Sequence, residues 1–336
     1  MNQKHMMAGR FSILLAVYVV LILFSFLLGR YPIYPDKLVR ILLSVVLPIR
    51  PNWEPEMATI LFQVRLPRVV MACLIGSALS CAGAAFQGVF QNPMVSPDVL
   101  GASQGAGFGA ALSIFLSVGY FGITLCSFAF GMLSVGLVYF IGRRVKRNPT
   151  LGLVLAGIMI GSLFSASTSF IKLMADPNNV LPAITYWLMG SLASIRPRDV
   201  AFAAPLILIG LAPIFFLRWK LNVLTMGEEE AQALGIRTAA VRIALIFGST
   251  LITAACVSVS GMIGWVGLVV PHFARMLVGC DYRRLLPASV LMGGSFLLLV
   301  DDVARVINTS EIPLGILTAF VGAPFFLYLI LRRADF

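Results

Sequence analysis

Apolar positions in this chain come in long runs, and the polar positions gather in the stretches between them. A run of roughly 20 apolar residues crosses a bilayer as a helix, which satisfies its own backbone groups as lipid demands. Judged by apolar length and breaker residues, about ten spans are predicted, at 11–29, 60–82, 95–109, 114–141, 151–172, 200–217, 239–258, 264–279, 287–304 and 313–331. The third and eighth are short and rich in glycine. The fold class that follows is all-α: one polytopic membrane domain over residues 1–336, with no soluble domain and no low-complexity linker.

The densest pattern runs from Arg65 to Gly109. Two arginines flank Leu66-Pro67, and a long helix of small apolar residues follows. It breaks at Asn92-Pro93 and Ser96-Pro97-Asp98, then resumes rich in glycine. A membrane protein that packs helices around a pathway and docks something at its mouth has use for such a segment. Small residues recur at helical spacing: Gly76, Ser80, Ala84 and Gly88; Gly101, Gly105 and Gly109; Gly157 and Gly161. Such faces let membrane helices approach closely. Five prolines between residues 30 and 59 argue against a continuous span there. Instead Tyr34 to Leu47 predicts an amphipathic helix on the membrane surface, and Pro182 to Ala193 a second such piece.

Composition carries the same message. The 336 residues are 59% hydrophobic and 12% charged, where ordinary globular chains are about a quarter charged. With a mean hydropathy of +0.95, the apolar excess is too large for one buried core. The first run follows Lys4 and Arg10, exceeds a signal-peptide core and lacks an A-x-A-like cleavage site, so it reads as an uncleaved span. The five cysteines lie mostly in apolar runs without C-x-x-C spacing, and His5 and His272 are the only histidines. Neither a disulfide framework nor a metal centre is expected, and no cofactor.

The net charge of +11 follows in good part from the preference of cytoplasmic loops for Lys and Arg. Nucleic acid is excluded as a partner, because no basic, aromatic-interleaved soluble domain exists. With an even number of spans, Lys4, Arg10, Arg143, Arg144, Lys146, Arg147, Arg218, Lys220, Arg283, Arg284, Arg332 and Arg333 fall on one side, read as cytoplasmic with both termini. The opposite side still carries Arg30, Lys37, Arg40, Arg50, Arg65, Arg68, Arg196, Arg198 and Arg305. Two explanations stand: interface anchors that snorkel, and an acidic partner on the outer face.

Five ordered motifs then carry a resemblance: RLPR at Arg65–Arg68, QNPMVSPDVLGASQGAG at Gln91–Gly107, GEEEAQALG at Gly227–Gly235, SGMIGWVGLVVPHFAR at Ser260–Arg275 and EIPLGILTAFVGAPFF at Glu311–Phe326. From about residue 60 to 331 the chain resembles the FecCD-type permease family, the membrane subunits of ATP-binding-cassette importers for iron-siderophore, haem and cobalamin. The resemblance implies two permeases around a central path, as a homodimer or a pair of paralogues, with two cytoplasmic ATPases and a periplasmic or lipoprotein binding protein. It implies a bacterial or archaeal cytoplasmic membrane. Independently, no lysine follows a glycine anywhere, so a G-x-x-x-x-G-K-[ST] phosphate cradle is absent and ATP hydrolysis would fall to other chains.

The resemblance also implies three sites. Arg65, Arg68 and Arg305 would meet acidic residues of the binding protein, a task suited to the planar guanidinium fork; helix-end anchoring is the alternative, with Asp301 one turn from Arg305. Asp302 departs from the family pattern, where the position is apolar. Glu228, Glu229, Glu230, Ala231, Leu234 and Gly235, within the cytoplasmic loop 218–238, would form the helix that couples to the ATPase, with Ala231, Leu234 and Ile236 as its apolar face. Asn92, Pro93 and Met94 with Thr150 and Leu151 would constrict the path at the cytoplasmic side; ordinary turns are the alternative. Leu151 stands where a cobalamin permease has a small hydroxyl residue. His272 and Arg275 share a face, read as helix-end packing.

The resulting expectation is an importer permease, without enzymatic activity of its own, for a metal chelate. Fe(III)-siderophore comes first, with haem, cobalamin and molybdate as alternatives. The rival class is an ion-driven secondary transporter, for which Asp301 and Asp302 are the only carboxylates within a span. A membrane enzyme lacks a convergent acid–base constellation.

Overall fold

The computed structural model describes residues 2–29, 31–45, 47–48, 52–145, 149–307 and 311–333, and all regular structure among them is helical. Helix α1 (Asn2–Leu27) leads to α2 (Pro35–Leu43), the first predicted surface helix, which is shorter than Tyr34–Leu47. Helix α3 (Pro55–Ile60), opened by Pro55 where a missing N–H is harmless, runs through a π-helical turn (Leu61–Arg65) just ahead of Pro67 into α4 (Leu66–Val89). The 35 residues Pro55–Val89 form one rod, about 52 Å long at 1.5 Å per residue.

A 3₁₀ turn (Pro97–Leu100) then precedes α5 (Ala102–Phe115), so the span expected at 95–109 is displaced toward the C-terminus. Pro97 and the left-handed Gly101 (φ 74°) divide it where a continuous helix was expected. Next come α6 (Tyr120–Gly142), α7 (Pro149–Met174), α8 (Val180–Leu188) and α9 (Pro197–Phe216). Residues 218–238 hold two short helices, α10 (Arg218–Leu224) and α11 (Glu228–Ala233). The chain ends with α12 (Thr238–Ser260), α13 (Val266–Val278), α14 (Tyr282–Ile307) and α15 (Leu314–Arg333). Among the described residues, six helices are long and apolar enough to cross a membrane. The four other expected spans fall on α5, α13, α14 and α15, of which α5 and α13 are shorter and α14 more polar than the six.

Small residues set the packing. Along α4 and α14, Arg68 meets Asp301, Gly76 meets Gly293 and Gly88 meets Tyr282. One number falls as the other rises, so the helices are antiparallel. A methyl group on Gly76 would run into the Gly293 carbonyl, which makes this the closest approach of the pair. The face Gly101, Gly105 and Gly109 packs in the same way on Ser134, Phe130 and Cys126 of α6, and Gly157 lies on Val99. Helix α4 is buried along almost its whole length and forms the axis of the fold.

Candidate functional site

The site has two ends, joined by α4. At its N-terminal end, Arg65, Arg68 and Arg305 line one cavity of about 250 Å³ with Glu311, Tyr31 and Gly29. The three arginines predicted together are therefore brought together. They are also withdrawn from solvent, at 4%, 5% and 8% exposure, and each has partners within the chain.

Arg68 is gripped on two edges. Its Nε and Nη2 donate to Asp301 at 3.0 and 2.8 Å, and its Nη1 and Nη2 donate to Glu311 at 2.9 and 2.8 Å. Arg305 pairs with Asp301 one turn back at 3.2 Å, the contact its i,i+4 spacing predicts. Asp302, the departure from the family pattern, faces α1. It accepts a hydrogen bond from Ser25 at 2.7 Å and pairs with Arg305, which also donates to Ser25. Arg65 has backbone acceptors, Phe26 at 2.6 Å and Tyr31. Buried charges persist when paired and hydrogen-bonded; here every carboxylate faces an arginine, although Asp302 Oδ2 and Arg305 Nε have no hydrogen-bond partner among the described residues, and the network ties α1, α4, α14 and the segment ahead of α15 together. Glu311 sits in a quoted motif but drew no role from the sequence.

The same end carries a second, accessible pair of cations. Leu314 and Gly315 donate to Gly190 and Met189 at 2.8 and 3.1 Å, which brings the α8–α9 turn beside the Glu311 segment. Arg196 in that turn and Arg198 in the first turn of α9 are exposed and lie over the Tyr120 ring at 5.7 and 5.2 Å. Asp199 caps α9 through the Arg196 N–H at 2.8 Å. The predicted helix Pro182–Ala193 is α8, which starts two residues earlier and stops at Leu188.

The opposite end lies beyond Val89, about 32 Å along α4 from Arg68 at helical rise. Gln91, left-handed at φ 49°, donates its amide to the Leu224 carbonyl at 2.6 Å and so ties α4 to α10. Asn92 accepts the Met94 N–H at 2.9 Å, closing the turn around Pro93. Asn92 and Leu151 line a cavity of about 490 Å³ together with Gln91, Glu228 and Arg242. Two of the predicted constriction residues thus share a cavity with the first residue of α11. Met94 points outward, and the Thr150 side chain lies outside the described residues.

The predicted apolar face of the coupling segment is split. Ala231 and Ile236 are buried against the rest of the chain, whereas Leu234 is 62% exposed beside exposed Glu229 and Glu230. Glu228 is itself half-exposed but is paired with Arg242 at 3.2 Å and accepts from Thr238 at 3.2 Å, which ties α11 to α12. Gly235 is left-handed at φ 76° and ends the turn. Between the two ends, α7 shows an outward face of Leu155, Met159 and Leu163. Ser162 and Ser165 interrupt it, and line a cavity of about 500 Å³ with Ser96, Asp98 and Gln104.

Comparison with known proteins gives this geometry its setting. The profile of the FecCD transport family matches residues 16–332. The molybdate import permease MolB of Haemophilus influenzae is 37% identical over 308 residues, covering 92% of this chain and 91% of the relative. The cobalamin import permease BtuC of Halobacterium salinarum is 42% identical over 281 residues, covering 83% and 75%. The Fe(3+)-citrate import permease YfmE of Bacillus subtilis is 37% identical over 323 residues, covering 95% and 93%. Among solved structures, an inward-facing ABC transporter assigned to the metal-chelate type superposes with a TM-score of 0.86 at 36% identity, over 96% of this chain and 98% of that one. The PsaBC structure from Streptococcus pneumoniae, at 18% identity and a TM-score of 0.54, shares the fold over 78% of this chain and 90% of that one. Motifs, helix arrangement and relatives agree: the chain belongs to the FecCD transport family, the permeases of ABC importers.

Proposed function

We propose that this permease forms half of the translocation path for a metal chelate, with Fe(III)-siderophore as the first candidate. Haem, cobalamin and molybdate stay as alternatives, and the relatives carry that breadth in their names. The ATP-driven family replaces the ion-driven class weighed from the sequence, and Asp301 and Asp302 are engaged by arginines. The observation that carries the reading is the pair of ends on one buried rod. The arginine cavity lies at the head of α4, and its tail is bonded to the segment that carries α11.

In this reading an acidic binding protein docks at the arginine end, outside the cytoplasmic membrane of a bacterium or archaeon. Arg65, Arg68 and Arg305 form its anchor, with exposed Arg196 and Arg198 as the rim. ATPase subunits take the end carrying α11, where Leu234, Glu229 and Glu230 are accessible while Glu228, Ala231 and Gly235 shape the segment. Asn92, Pro93, Met94, Thr150 and Leu151 close the path on that side. Both termini lie in the cytoplasm; of the basic residues on which this orientation rests, Lys146 and Arg147 lie outside the described residues. A second copy, or a paralogue, packs across α7 and faces the serine-lined cavity. The direct test is purification of the complex with its bound metal. An ATPase and a binding protein in stoichiometric amounts, with an iron chelate, agree with the reading; a chain that retains only molybdate or cobalamin moves the substrate to that class.

A further inference from the structure

We propose that Glu311 is an internal stand-in for the binding protein's carboxylate: it covers one edge of the Arg68 fork in the free permease and gives way on docking. The inference rests on the docking reading above and adds the event that precedes it. The two acids on Arg68 differ. Asp301 is wholly buried in the body of α14 and shared with Arg305, so it is fixed. The Glu311 side chain comes from the short connection ahead of α15, is 23% exposed, and has Arg68 as its ion-pair partner.

The 250 Å³ cavity opens at this point, and Arg65, which lines it, is satisfied by carbonyl oxygens and not by a carboxylate. An incoming carboxylate therefore finds room, an adjacent cation, and a fork edge held only by a group that can swing into water. The desolvation of Arg68 is already met by Asp301, so exchange of one carboxylate for another is close to balanced. Glu311 lies three residues before Leu314, whose N–H is bonded to Gly190. Its release thus acts on the strap that holds the α8–α9 turn.

The test uses the permease assembled with its ATPases in nanodiscs. The labelled probe is the binding protein that co-purifies with it, produced alone. Glu311→Gln removes the competing charge and should tighten binding at least ~5-fold, the lower end for two linked sites. Glu56→Gln, an equal charge change at an exposed position of the same end, should alter affinity by less than twofold. Unchanged or weaker binding by Glu311→Gln, or equal tightening by Glu56→Gln, overturns the proposal. Glu311→Asp covers a failure of the first variant to fold: its shorter carboxylate should tighten binding partway, and wild-type affinity would count against exchange. Arg65→Glu separates the two levels. If it weakens binding while Glu311→Gln has no effect, only the exchange is wrong; if Arg65→Glu binds normally, docking at this cavity is wrong.

Discussion

Arg68 shows how much one residue of this chain carries. Its guanidinium serves two carboxylates from segments more than 230 positions away. Truncation to Ala leaves Asp301 buried beside a single remaining cation, which costs about 3–5 kcal/mol. Thermal unfolding in detergent should show a large fall for Arg68→Ala, whereas exposed Arg196→Ala should stay within about 0.5 kcal/mol. The Asp301–Arg305 pair was legible in the sequence because helical spacing alone sets it. The role of Glu311 was not, because its partner is brought near only by the antiparallel packing of α4 and α14. Asp302 was visible as a departure, but its meaning depended on Ser25 of α1, at the far end of the chain.

At the scale of elements, the span pattern read well wherever length decided it. It read poorly where backbone geometry did, as at Pro97–Gly101, where a left-handed glycine separates a 3₁₀ turn from α5. The short helix expected within 218–238 is present as α11, yet its apolar positions were assigned to one outer face. A six-residue helix closed by Gly235 turns Ala231 inward and leaves Leu234 outside. Leu234→Glu should therefore lose the ATPase with the permease still folded, measured by co-purification and thermal unfolding together. Ala231→Glu should lower the unfolding midpoint as well.

The neighbouring anchor is titratable. Asp281 accepts the Arg283 N–H at 2.9 Å and the Asn222 amide at 2.6 Å, so it caps α14 and ties it to α10. Slight burial pushes its carboxyl up, but these two bonds and the charges of Arg283 and Arg284 outweigh it and hold it below the ordinary range. A lowered folded value means stabilisation that is full above the unfolded value, near pH 4, and lost as pH falls through the folded one. Asp281→Asn should melt below wild type at pH 7, and the gap should close below about pH 4. A gap that persists at low pH would show that charge is not what the cap uses.

The whole molecule is a buried rod with an arginine end and an α11 end, wrapped by helices of which α1, α6, α7 and α9 keep most of their apolar span surface exposed. An exposed apolar face interrupted by serines suits a partner across a wet path better than lipid alone. A cysteine at Met159 should cross-link two permeases in the assembled transporter, whereas one at Leu15, exposed on α1, should not. Both positions are accessible in the single chain, so the contrast reports assembly. What the sequence could not carry at this scale is the joint between the ends. The Gln91 bond to Leu224 unites segments 133 positions apart, and no local pattern announces it.

The central claim is that substrate delivery at the arginine end drives ATP use at the other. Its most direct test is ATP hydrolysis by the purified complex in lipid nanodiscs, with and without the binding protein. The account predicts that the binding protein stimulates hydrolysis, and that Arg65→Glu and Leu234→Glu each remove the stimulation from opposite ends of α4. A permease that purifies without any ATPase, and whose uptake survives ATP depletion but collapses with the ion gradient, would contradict it.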